Sequence, residues 1–195
     1  MELDLELYRH EVTVSTQPRV QLSVLDVAPA AAQKTLVLLH GFGGEARQWR
    51  YQIQHFAESQ RVIAFDLRGH GHADKPVGPY HMEQILGDLE AAIAQLKIDG
   101  RVILVGHSFG GALATMVALA HPDQIEHLVL IATPGRFELN RVSRFIFRLP
   151  QVLLRPLERF ARAWLHAPLY VLQPWHQNTL APWDGWRYFP QLTVP

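Results

Sequence analysis

A chain of 195 residues with 48% hydrophobic composition is long enough to close one domain around a core and too apolar to be disordered. It contains no cysteine, which excludes disulfides, thiolate metal sites and cysteine nucleophiles, and its formal net charge of zero points to neither nucleic acid nor membrane. No apolar run approaches the length of a membrane span, and the opening Met1–Glu6 alternates acids with leucine, without the basic-then-apolar pattern of a secretory signal, so a cytoplasmic protein is expected.

Leu3, Leu5 and Leu7 alternate with acids and Val12 and Val14 continue the period of two, which predicts an amphipathic strand. Val20–Val24 repeats the pattern after Gln17-Pro18-Arg19, so the two runs should form a hairpin. Pro29 and the alanines after it read as a linker. Thr35–Leu39 is continuously apolar, as a strand buried on both faces of a parallel sheet must be. It runs into His40-Gly41-Phe42-Gly43-Gly44. The glycines of that loop permit close backbone approach, and its free N–H groups are suited to facing a developing negative charge. A helical stretch with Trp49, Ile53 and Phe56 follows.

Arg61–Phe65 is another buried strand, ending in the ordered loop Asp66-Leu67-Arg68-Gly69-His70-Gly71-His72-Ala73-Asp74-Lys75-Pro76. His70 and His72 near Asp66 and Asp74 lack a clear third ligand, so hydrogen bonds within the loop are expected there, and no metal. Met82, Ile85, Leu86, Leu89, Ile93 and Leu96 recur at helical spacing and predict an amphipathic helix. Arg101–Val105 is a third buried strand. Gly106-His107-Ser108-Phe109-Gly110 then leads into the small-residue helix Gly111–Ala120. Strand, G-x-S-x-G, helix is the context of a nucleophile elbow, a strained turn that lifts a serine hydroxyl toward a substrate. Leu128–Ala132 is a fourth buried strand. Alternation of strands and helices from about residue 35 to 135 implies a mostly parallel, doubly wound α/β sheet with helices on both faces.

Composition shifts near residue 136. Residues 1–135 hold 10 Lys/Arg against 15 Asp/Glu, whereas 136–195 hold 8 Arg against 3 acids. Val142, Phe145, Ile146 and Leu149 form one apolar stripe beside Arg141, Arg144 and Arg148. After Pro150, Leu157, Phe160, Trp164 and Leu165 form a second beside Arg155, Arg159 and Arg162, so two amphipathic helices are expected.

The three loop motifs, His40–Gly44, Asp66–Gly71 and Gly106–Gly111, each follow a strand. Together they resemble the α/β-hydrolase fold superfamily in order and spacing over roughly residues 20–135. Where that family usually places a serine, two positions after Gly71, this chain has Ala73, a structural position. The resemblance implies roles: Ser108 as nucleophile, the backbone N–H groups of Phe42 and Phe109 as an oxyanion hole, and His40 as a brace of the loop. His107 is expected to point away along the pleat. No cofactor is implied. The implied organisation is a core over 1–135, a helical lid over 136–190, and the start of the next core strand at 191–195.

In that family the triad order is serine, acid, histidine, the last two following later strands. Neither occurs at its usual place here. Glu138 has a poor offset, His121 and His127 lie at the far end of a helix and a strand from Ser108, and His166 and His176 are in the lid. Three explanations compete: a fragment of a longer enzyme, which is favoured, a truncated inactive product, or strands supplied by a second chain. Ending the sheet at Leu128–Ala132 leaves an apolar edge prone to aggregation. The expected function is a serine hydrolase of carboxylic esters or related acyl compounds, an esterase or lipase-like enzyme that is inactive as the isolated 195-residue chain. The alternative is a non-catalytic binding protein of the same fold. The expected partner is a small apolar or acyl substrate, with no nucleic acid. Contact of the arginine-rich lid with anionic lipid or an acyl-CoA is the less favoured reading beside a solvated arginine face.

Overall fold

The computed structural model describes residues 3–76, 80–98 and 100–133. The expected lid at 136–190, with its arginine stripes, Glu138, His166 and His176, and the strand start at 191–195 lie outside them.

Six strands form one sheet: β1 (Arg9–Thr16), β2 (Arg19–Val27), β3 (Thr35–Leu39), β4 (Arg61–Asp66), β5 (Val102–His107) and β6 (Ile125–Ile131). Their order across the sheet is β1-β2-β4-β3-β5-β6. β1 and β2 form the antiparallel hairpin, β2 pairs antiparallel with β4, and β4, β3, β5 and β6 run parallel. The helices are α1 (Arg50–Phe56), α2 (Met82–Gln95) and α3 (Phe109–Ala120).

Strand side chains alternate between faces, so each central strand feeds two cores. On one side Val37, Leu39, Ile63, Phe65, Val102 and Leu104 pack with Ile85 and Leu89 of α2 and Leu113 and Val117 of α3. On the other, Leu36, Leu38, Val62, Ala64 and Val105 pack with Trp49 and with Ile53 of α1. This is the doubly wound, mostly parallel α/β arrangement that the alternation of elements predicts. Its consequence for function is positional: the C-terminal ends of β3, β4 and β5 lie side by side, and each releases one of the three loop motifs there.

Two elements differ from expectation: β6, expected to be buried, is largely exposed because it borders β5 alone among the described strands, and the N-terminal run is not all strand. Leu5–Tyr8 is a 3-10 helix and β1 begins only at Arg9. The Asp4 carboxylate accepts the Glu6 amide at 3.1 Å and so caps the turn. Local side-chain bonding of this kind outcompetes a strand at the end of a sheet. Leu5 is then buried while Leu7 is exposed, although the two alternate in phase.

Among the described residues, no helix is long and apolar enough to cross a membrane. Leu128–Ile131 of β6 are 37–46% exposed, and β6 pairs with β5 alone among the described strands.

Candidate active site

Ser108 caps the N-terminus of α3 with φ +50° and ψ −114°, a conformation that a non-glycine residue adopts only under constraint. Its amide donates to the Ile131 carbonyl on β6 at 2.9 Å, and its carbonyl accepts from Gly111 at 3.0 Å. The chain therefore leaves β5 and enters α3 within one residue.

Space explains the flanking glycines. A Cβ on Gly106 would overlap the Gly110 carbonyl and the Gly111 Cα. One on Gly110 would overlap the carbonyl oxygens of Leu39 and His40. The first turn of α3 thus lies against the end of β3, where the His40–Gly44 loop starts. Gly41 lies against the elbow itself, since a Cβ there would stand 2.7 Å from His107 Nδ1 and 3.2 Å from Ser108 Cβ. The Phe42 ring meets the Phe109 ring edge to face, with centroids 6.4 Å apart. Phe42, Ser108 and Phe109, singled out separately from sequence, are therefore one neighbourhood.

His107 stays in this neighbourhood, contrary to the expectation that it points away. Its ring packs on Gly41, and its Nδ1 accepts a hydrogen bond from Gln48 Nε2 at 3.1 Å. Close approach of the two loops, made possible by Gly41, holds it there. Gln48 carries no sequence signal for this role, because its partner is 59 residues away.

His40 is fully buried with both ring nitrogens committed. Nδ1–H donates to the Gly41 carbonyl at 2.7 Å, and Nε2 accepts the Leu67 amide at 3.1 Å. That pattern needs the neutral ring, and burial pushes its pKa down in agreement. Nδ1 braces its own loop and Nε2 ties that loop to the one after β4, so neither nitrogen is available to a substrate.

His70 is also buried, and burial lowers its pKa to about 3. Its Nδ1–H donates to the Arg68 carbonyl at 2.9 Å. Its ring lies 5.0 Å from that of His40 and meets Phe42 edge to face at 5.5 Å.

Asp66, at the end of β4, anchors the loop that follows it. Its carboxylate accepts from the Ala46 amide at 2.6 Å, the His72 amide at 3.0 Å and Arg9 Nη1 at 2.8 Å. Burial alone would raise its pKa, but the Ala46 and His72 amides and the nearby cationic charge outweigh it, and the group is held below the ordinary range. Arg68 and Asp88 form a buried two-pronged ion pair between this loop and α2, with Arg68 Nη2 to Asp88 Oδ1 at 2.8 Å. Neither pair was legible beforehand, since the partners are 57 and 20 residues apart. Among the described residues, no group of three His, Cys, Asp or Glu side chains is arranged to hold a metal.

The other described histidines near α3 and β6 are remote from Ser108. His121 lies at the opposite end of α3, roughly 18 Å away along a helix of this length, bonded to Glu90. His127 precedes Ile131, the partner of Ser108, by four positions of strand, about 13 Å.

Residues 34–188 match the alpha/beta hydrolase fold family. Epoxide hydrolase 3 of Xenopus tropicalis is 42% identical over 101 residues, 51% of this chain and 27% of that protein. Epoxide hydrolase 4 of Homo sapiens is 33% identical over 122 residues, 62% of this chain and 33% of that protein. A putative 2-succinyl-6-hydroxy-2,4-cyclohexadiene-1-carboxylate synthase of Bacillus subtilis is 34% identical over 169 residues, 83% of this chain and 61% of that protein. The solved structure of a probable hydrolytic enzyme from Pseudomonas aeruginosa superposes with a TM-score of 0.61 at 29% identity, covering 77% of this chain and 53% of that one. The chain thus spans between 27% and 61% of the length of these curated relatives.

Proposed function

Because the chain belongs to the α/β-hydrolase fold family, we propose that it carries the nucleophile and oxyanion hole of a serine hydrolase acting on small carboxylic esters or related acyl compounds. The observation that carries this reading is Ser108 at φ +50° on the strand-to-helix turn, with Phe109 after it and Phe42 packed on Phe109. In the proposed reaction the Ser108 hydroxyl oxygen bonds to the acyl carbon. The carbonyl π pair moves onto oxygen and is held by the Phe42 and Phe109 amides. Collapse expels the alcohol, which takes up the proton that serine gave, and water then cleaves the acyl-enzyme.

Relatives of this chain carry names of different reaction types, so membership in the family does not choose the substrate. The residue at the elbow supports one class of chemistry over another. A carboxylate nucleophile opens an epoxide to an ester that water cleaves. A serine would form an ether, which water does not cleave, and turnover would stop. Ser108 therefore favours acyl substrates over epoxides, even though two of the similar proteins are named epoxide hydrolases.

The test is a fluorophosphonate probe applied to the protein expressed from its complete reading frame. Covalent labelling that disappears in Ser108→Ala is expected. A folded protein that takes no label would remove the acyl-transfer reading and favour a binding protein of the same fold. Loss of one oxyanion donor typically costs on the order of 3 kcal/mol of barrier, so turnover of any ester substrate found should be sensitive to the posture of the Phe42 loop.

A further inference from the structure

We propose that His70 is a positioning residue for the oxyanion loop, its ring seating Phe42 from the neighbouring loop. The consequence for rate rests on the reading of Ser108 and Phe42 given above. The geometry does not.

His70 belongs to the loop after β4, whereas Phe42 belongs to the loop after β3, so the contact between them fixes one loop against the other. The His70 ring is 6% exposed and meets Phe42 at an interplanar angle of 88°. Phe42 in turn meets Phe109 at 86°. The three rings form a run that ends at the two residues whose amides are the proposed oxyanion donors.

The ring is itself oriented from behind. Nδ1–H is bound to the Arg68 carbonyl at 2.9 Å, and Arg68 is clamped by Asp88 of α2. The posture of the oxyanion loop is thereby referred to a packed helix.

The other ring nitrogen supports this assignment. Among the described residues, the buried Nε2 finds no hydrogen-bond partner. Among those residues the ring is therefore oriented through Nδ1 alone. One nitrogen aims the ring, and the ring's shape and edge-to-face contact do the rest. The Gly44 amide reports on the result, because its 2.9 Å bond to the Gly41 carbonyl closes the turn that carries Phe42.

The experiment compares His70→Leu, which fills the volume without an aromatic edge, with His70→Phe, which restores the ring, and His70→Asn, which retains a donor for the Arg68 carbonyl. Amide exchange at Gly44 and the fluorophosphonate labelling rate are measured under conditions where each variant is folded. His70→Leu should raise Gly44 exchange and slow labelling by about 3- to 10-fold, the span an edge-to-face pair commands. Exchange in the interior of α2 and β4 should not change. His70→Phe should recover most of both effects and His70→Asn neither.

The proposal is overturned if Gly44 exchange is unchanged in His70→Leu, if exchange rises uniformly across the protein, or if Asn rescues as well as Phe. It is overturned equally if no variant folds, since His70 would then be a core residue only. Absence of labelling in the unsubstituted protein would remove the acyl-transfer reading alone, and the exchange pattern would still decide the positioning role.

Discussion

Ser108 holds a backbone conformation that costs of order 1–3 kcal/mol, and the contacts around it are what sustain that cost. The surrounding glycines are sites of close approach, so their substitution is felt as overlap. Gly110→Ala would drive a methyl into the carbonyl oxygens of Leu39 and His40, which belong to the end of β3 and cannot yield cheaply. A loss of about 3 kcal/mol is expected in urea unfolding. Gly87 is the contrast, because it sits exposed in the middle of α2 with nothing within 4 Å of a Cβ. Gly87→Ala should stabilise the protein by about 0.5–1 kcal/mol through helix propensity. A destabilising Gly87→Ala would contradict this account of α2.

Two buried charged pairs join elements that are distant along the chain. Arg9 at the start of β1 reaches Asp66 at the end of β4, and Arg68 after β4 reaches Asp88 in α2. Both acids are buried, so removing one partner leaves an uncompensated charge. Arg68→Met alone should cost about 3–5 kcal/mol, whereas Arg68→Met with Asp88→Leu should recover much of that loss, because two apolar side chains replace the pair. The cycle is read from urea midpoints. A double variant no better than the single one would mean that Arg68 acts through packing, with little contribution from charge. The pair does more than join β4 to α2, since the Arg68 carbonyl also orients His70.

Across the whole molecule, the loops after β3 and β4 meet around two histidines that the fold keeps neutral. An unfolded histidine titrates near 6.5. Burial holds His70 at about 3 and pushes His40 down as well. Below pH 6.5 the unfolded chain therefore takes up protons that the folded one refuses. Stability present above 6.5 should fall as pH drops toward 3, by up to about 1.4 kcal/mol per pH unit for His70, and His40 adds to the fall in the same direction. Asp66, also shifted down, adds to the loss below the ordinary aspartate range. Glu45 opposes it in part, since burial and the Asp66 charge raise its carboxyl. Urea midpoints between pH 7.5 and 5 should show the slope, and His70→Phe should make it shallower by one titrating group. Equal slopes would place the His70 ring in a more solvated setting than the structure does.

Much of the fold was legible in advance. Leu36–Leu39 and Val62–Phe65 are apolar without interruption because both of their faces are covered, and that pattern marks a central strand whatever its neighbours are. Ser108 was legible too, because the tight strand-to-helix turn demands glycines at fixed offsets. The N-terminal leucines were misleading, since alternation at Leu3–Leu7 does not register that Asp4 can cap a turn. What only the tertiary structure decided lies between segments distant along the chain. Arg9 with Asp66, Arg68 with Asp88, Gln48 with His107 and His70 with Phe42 leave no periodic trace, because each contact depends on where two loops come to rest. Local chemistry determined the strand-to-helix turn at Ser108, its glycines and the strands. Packing of the three loops at one end of the sheet decided which side chains brace them.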